Sequence, residues 1–149
     1  IKGIDLSSEM VSYTQQKVKQ LHSENNIVVE VGDAENLSYP DNSFDACISL
    51  RLFGHIPPDN RIRILQELRQ ITKKYLVLAY YTKNCVQYFL RKRRRRIRSV
   101  EWHPIAHKRI EEELKMAGLE KVRYFPLLRG ISETIIVLAK KIKDENLGN

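Results

Sequence analysis

The sequence predicts an α/β domain: a mostly parallel, twisted sheet with helices on both faces, closed by a C-terminal antiparallel hairpin. Three observations carry this expectation. Short apolar, β-branched runs at residues 27–31, 44–50 and 75–81 alternate with stretches of helical apolar spacing. The connections between them are rich in turn formers, as in GDAENLSYPDNS and HIPPDN. The last two β-like runs, 121–125 and 134–139, follow each other across a short loop containing Gly130.

Each element has its own local reason. Residues 2–6 read as the end of a strand, and Ser7 or Ser8 then caps a helix whose apolar positions are Met10, Val11, Val18 and Leu21. Asn25 and Asn26 are expected to stop it. Residues 27–31 are β-branched and short, as a strand requires. FDACISL, 44–50, is the next strand, and the two prolines and Asp59 of HIPPDN open a helix with Ile62, Leu65, Leu68 and Ile71 on its apolar face. YLVLAYY, 75–81, follows as a buried strand. Ala106, Ile110, Leu114 and Ala117 line a last helix, which Gly118 ends as a left-handed cap. No internal repeat or linker breaks the pattern, so residues 1–149 read as one domain.

Composition narrows the class. The chain has 149 residues, 42% hydrophobic and 30% charged, with six glycines and five prolines, which suits a single core-forming domain. No apolar run approaches the roughly 18 residues of a membrane span, and no signal-peptide pattern is present, so a cytoplasmic protein is expected. Cys47 and Cys85 lack paired spacing and neighbouring histidines; both are read as reduced and structural, with no metal site. The net charge of +8 has a local origin. RKRRRRIR, Arg91 to Arg98, holds seven basic residues in eight, leaving 19 basic against 18 acidic residues elsewhere.

The most informative position is Asp5, between a strand end and a helix start in GIDLSSEM. In a nucleotide-binding βαβ unit an acid in that place accepts from ribose hydroxyls, with a glycine-rich loop roughly 20 residues upstream. Asp33 follows 28 positions later in GDAENL, and PDNSFD leads into the next strand. This ordered set resembles the class I S-adenosylmethionine-dependent methyltransferases, in particular the branch acting on small molecules and lipids that includes ubiquinone-biosynthesis enzymes. The resemblance covers nearly the whole chain and implies a Rossmann-like fold.

The resemblance implies S-adenosylmethionine as cofactor and a role for each site residue. Asp5 would accept from the ribose diol, Leu6 and Met10 would pack on the adenine, and Asp33 would accept from the adenine amine while the backbone N–H of Ala34 donates to a ring nitrogen. Leu50 would line the cofactor at the end of the following strand. The plainer readings are a helix-preceding aspartate at Asp5 and a turn-capping one at Asp33. Only four residues precede Asp5. The family's first strand, which lies between its second and fourth, and its glycine loop are therefore expected to lie outside this stretch. The 149 residues alone are expected neither to fold nor to bind cofactor.

The acceptor side is read from SLRLFGHI. It lacks the Pro-Pro-aromatic signature of base-amine methylases, the Lys-Asp-Lys-Glu set of ribose methylases and the paired glutamates of arginine methylases. What remains suits a small or lipophilic acceptor. Phe53, Trp102 and His103 are candidate substrate contacts, and Arg51 either binds an anionic acceptor or sits at the surface. His55 is the candidate base if the acceptor is a hydroxyl, its ordinary pKa being about 6.5; its plainer role is to fix the loop. His103 and His107 are weaker candidates. In place of the family's usual Pro-Gly-Gly turn stand Lys73, Lys74 and Tyr75, a departure expected to alter the turn more than the chemistry.

The basic run falls where this family often builds a substrate lid. Three readings stay open: docking on an anionic membrane surface, contact with RNA phosphates, or a solvated face. Correspondingly, the functional classes are methyl transfer to a small or lipid-linked acceptor by direct displacement, an RNA-docking methyltransferase, or a catalytically silent partner module.

Overall fold

The computed structural model describes residues 1–93 and 103–142. They fall into two units, Ile1–Ser38 and Tyr39–Asn149. The strands are hydrogen-bonded as two sets, a parallel pair in the first unit and a four-stranded sheet in the second; strands 2–5 and 44–49, which the resemblance places on either side of the family's first strand, are not paired with each other.

In the first unit β1 (Lys2–Asp5) pairs in parallel with β2 (Val28–Val31), with Lys2 opposite Val28 and Asp5 opposite Val31. Between them runs α1 (Ser8–Gln20). Ser7 is its cap: the hydroxyl accepts from the Met10 N–H at 3.3 Å, satisfying one of the four orphan donors of the first turn. The helix ends sooner than expected. His22 takes a left-handed backbone (φ 49°), so the chain turns before Asn25 and Asn26 are reached. Val11 and Val18 are buried beneath α1, whereas Met10 and Leu21 are exposed.

In the second unit the strand order is β3-β4-β6-β5. Its elements are β3 (Phe44–Ser49), α2 (Pro58–Ile71), β4 (Thr72–Tyr81), α3 (Val86–Arg93), α4 (His107–Met116), β5 (Leu119–Pro126) and β6 (Thr134–Lys141). β3 and β4 are parallel, while β6 runs antiparallel to both β4 and β5, giving the anticipated closing hairpin. β4 begins three residues before the expected Tyr75, directly off the end of α2. One residue lies between Phe44 and Ala46 where two lie between their partners Thr72 and Tyr75, so the extra residue is absorbed as a bulge at Lys73 and Lys74.

Burial alternates along β4, with Leu76, Leu78 and Tyr80 inside and their β6 neighbours Ile135, Val137 and Ala139 also buried. Ile64, Leu65 and Leu68 of α2 and Ile110 and Leu114 of α4 complete the core, each large aliphatic contributing about 1.5–3 kcal/mol. The buried stripe of α2 is Arg61, Ile64, Leu65, Leu68 and Ile71, so Ile62 yields the first core position to an arginine. Gly118 ends α4 with φ 72°, as a left-handed cap requires. Residues 86–93 form the helix α3 after the end of β4; the rest of the basic run, Arg94 to Arg98, and Trp102 lie outside the described residues.

Candidate cofactor and acceptor sites

In the first unit the parallel register brings the ends of β1 and β2 to one edge, where Asp5 and Asp33 both lie just at or beyond a strand terminus. Each acid is preset by its own turn. One Asp5 carboxylate oxygen accepts from the Ser7 N–H at 2.8 Å, and one Asp33 oxygen accepts from the Glu35 N–H at 2.8 Å. These are the plainer turn roles, and they leave the second oxygen of each carboxylate without a partner among the described residues. The Gly32 N–H donates to the Asp5 carbonyl at 3.1 Å, fixing the two strand ends to each other.

Around these acids the surface is apolar and accessible. Leu6 is 72% and Met10 51% exposed. The Ala34 N–H makes no hydrogen bond among the described residues. The unit thus offers carboxylate acceptors, a free backbone donor and an apolar shelf, a set that fits the ribose and adenine of S-adenosylmethionine. A shallow depression of about 460 Å³ along α1, lined by Ser8, Ser12, Tyr13 and Gln16, contains none of these residues.

In the second unit the loop after β3 is held from three sides. Phe53 is fully buried and stacks on Tyr80, ring centroids 4.7 Å apart. It was expected to meet substrate; with no accessible surface it instead anchors the loop from below. Gly54 lies against Tyr81 so closely that a Cβ would come 1.9 Å from the ring. The Gly54 carbonyl accepts from the His103 N–H at 2.8 Å, and Ile105 bridges Thr82 while its N–H donates to the Tyr81 carbonyl. His103 therefore reaches the loop through its backbone.

His55 is exposed, with its imidazole edge-on to Tyr81 at 6.1 Å. Leu50 is 61% exposed at the carboxyl end of β3. Arg51 adopts a left-handed backbone (φ 59°), a conformation that costs a non-glycine residue energy and clusters at functional sites. It lines a pocket of about 260 Å³ with Ala79, Tyr80, Tyr81 and Thr134. The Tyr80 hydroxyl is buried with no hydrogen-bond partner; burial, reinforced by the Glu113 carboxylate, holds its proton far more tightly than usual. His107 lies elsewhere, stacked on Tyr124 at 5.0 Å, and partial burial lowers its pKa.

Sequence reasoning missed Arg61 and Glu113. The Arg61 Nε and Nη2 donate to the two Glu113 oxygens at 3.0 and 2.9 Å, and Nη1 donates to the carbonyl of Ile56 in the loop. The only local signal was an arginine at the head of an apolar stripe. Cys47 and Cys85 are free thiols; burial pushes that of Cys47 up, and no group of residues that could hold a metal occurs among the described residues.

Comparison with known proteins agrees with this geometry. Residues 1–75 match the family model described as a methyltransferase domain. The chain belongs to that family, the class I S-adenosylmethionine-dependent methyltransferases. A phosphatidylethanolamine N-methyltransferase of Cereibacter sphaeroides is 28% identical over 74 residues, 50% of this chain and 36% of that protein. A ubiquinone/menaquinone biosynthesis C-methyltransferase of Geobacter is 33% identical over 85 residues, 55% of this chain and 35% of that protein. This chain thus spans about a third of each relative. Among solved structures, magnesium protoporphyrin IX methyltransferase from Synechocystis with bound SAH superposes with a TM-score of 0.79 at 20% identity, over 95% of this chain and 64% of that one.

Proposed function

We propose that this protein transfers a methyl group from S-adenosylmethionine to a small or lipophilic acceptor that carries an anionic or strongly hydrogen-bond-accepting group. The observation that carries the cofactor half is the pair of preset acids, Asp5 and Asp33, at one edge of a parallel strand pair. An ionised carboxylate accepts from hydroxyl and amine donors more strongly than a neutral group, and the local turns remove the entropy of orienting it. When bound, the cofactor supplies an electrophilic methyl group on a sulfonium. The chain's task is then to hold an acceptor in line with that methyl, and much of the rate can come from this positioning.

The acceptor half is supported by the pocket at the carboxyl ends of β3 and β4, where ligands of parallel α/β sheets bind. Arg51 has no ion-pair partner among the described residues, and the Tyr80 hydroxyl lacks an acceptor. An anionic acceptor group satisfies both. Where the methylated atom is a hydroxyl, the exposed His55 is the base that takes its proton. The names of the lipid-modifying relatives favour a lipophilic acceptor.

Calorimetric titration of the intact protein with S-adenosylmethionine tests the reading. Asp5→Ala is expected to weaken binding at least about tenfold, the loss of a charge-assisted hydrogen-bond pair. No binding by the unmodified protein would identify a silent partner module; unchanged affinity in the variant would remove Asp5 from the site.

A further inference from the structure

We propose that α3 and the turn between β5 and β6 form one docking surface for an anionic lipid bilayer. Val86, Phe89 and Leu90 occupy positions i, i+3 and i+4 of α3, one face of the helix, and all three are more than half exposed. Leu127, Leu128 and Ile131 of the turn are exposed to a similar degree. The two segments are joined by their backbones: the Val86 N–H donates to the Gly130 carbonyl at 2.9 Å and the Gln87 N–H to the Ile131 carbonyl at 3.1 Å. The Glu133 N–H closes the junction by donating to the Gln87 side chain at 3.2 Å. Helix and turn are thus a single piece carrying six large apolar side chains into solvent, more than scattered surface hydrophobes explain.

Charge decides what this surface meets. Lys83, Lys92, Arg93 and Arg129 are exposed and make no ion pair among the described residues. From Thr82 to Arg93 the sequence holds four basic residues and no acid, and from Val122 to Ser132 two basic residues and no acid. Apolar side chains beside unbalanced cations are what the boundary between headgroups and acyl chains accepts: the hydrocarbon enters, and the long basic side chains reach back to lipid phosphates. RNA would use the cations and leave the leucines unexplained. A second copy would bring like charges together.

The surface is independent of methyl transfer, so it is tested without cofactor by vesicle co-sedimentation of the intact protein. Binding is expected to phosphatidylcholine vesicles containing phosphatidylglycerol, weakening as salt is raised, with little binding to phosphatidylcholine alone. Phe89→Asp/Leu128→Asp and, separately, Lys92→Glu/Arg93→Glu should each weaken binding about tenfold or more. Both pairs are exposed, so an unchanged thermal melt verifies the fold. Equal binding to neutral vesicles, no vesicle binding at all, or an unaffected Phe89→Asp/Leu128→Asp variant would overturn the proposal. So would steeply salt-dependent binding to single-stranded RNA in place of vesicles.

Discussion

Arg61 and Glu113, 52 positions apart, meet through two parallel hydrogen bonds inside the second unit, where both side chains are almost fully buried. The pair joins the start of α2 to α4, and the remaining arm of Arg61 holds the Ile56 carbonyl of the loop that carries His55. A buried fork of this kind is not a net source of stability in itself, because desolvating both ions offsets their attraction. Its loss is another matter.

Glu113→Ala is expected to destabilise the protein by about 3–5 kcal/mol in urea unfolding, because the buried guanidinium loses its counter-ion. The double variant Arg61→Met/Glu113→Leu should recover most of that loss, since two apolar side chains of similar volume leave no stranded charge. The double variant should still perform poorly in methyl transfer, because nothing then holds the Ile56 carbonyl. A single variant within 1 kcal/mol of the parent would show that solvent reaches the pair.

Gly54→Ala tests the opposite side of the same loop. The added Cβ would meet the Tyr81 ring at 1.9 Å, so either the loop or the ring must move. The expected cost is about 1–3 kcal/mol, read from thermal or urea melts, with a larger proportional loss of methyl transfer. Gly54→Ala/Tyr81→Leu should regain stability by opening the space.

These contacts mark the boundary of what the sequence could reveal. The turn roles of Asp5 and Asp33 were legible because turn chemistry and strand spacing are local, and so was Gly118, whose left-handed cap follows a helical stripe. Phe53 was not, because whether an aromatic after a strand faces ligand or core depends on Tyr80, 27 positions later. The burial of Arg61 depends in the same way on Glu113. The break between β1 and β3 was legible only through the resemblance, which places the family's first strand between its second and fourth: the apolar pattern names a strand without naming its neighbours, and here β1 bonds only to β2 and β3 only to β4.

Acidification should destabilise the fold in a defined window. Partial burial against Tyr124 lowers the pKa of His107 below 6.5, so the folded protein resists the proton that the unfolded chain accepts. Its contribution is present above 6.5 and is lost as the pH falls through the depressed folded value. Glu111, held below 4.5 by its bond from Lys121, acts in a separate window that opens only below that value. His107→Phe keeps the stacked ring and removes the titration. It should flatten the stability profile just below 6.5 and leave the more acidic limb intact, as measured by urea melts across pH.

Amide hydrogen exchange should separate the two units. The first buries only Val11 and Val18 among its apolar side chains, and its sheet is a single strand pair, an arrangement of marginal stability in water. The second buries β4 between two strands and beneath α2, with α4 packed on β5 and Leu76, Leu78 and Val137 fully enclosed. Local opening free energy follows buried apolar contact, so β4 and β6 are expected to exchange most slowly and β1 and β2 far faster. Adding S-adenosylmethionine should slow exchange at Asp5 to Ser8 and at Ala34, because a ligand that binds only the closed form lowers the population of open states in proportion to its saturation. Equal protection of β1 and β4 without ligand would contradict this reading of the core, and unchanged exchange at Ala34 with ligand would contradict its role as a donor.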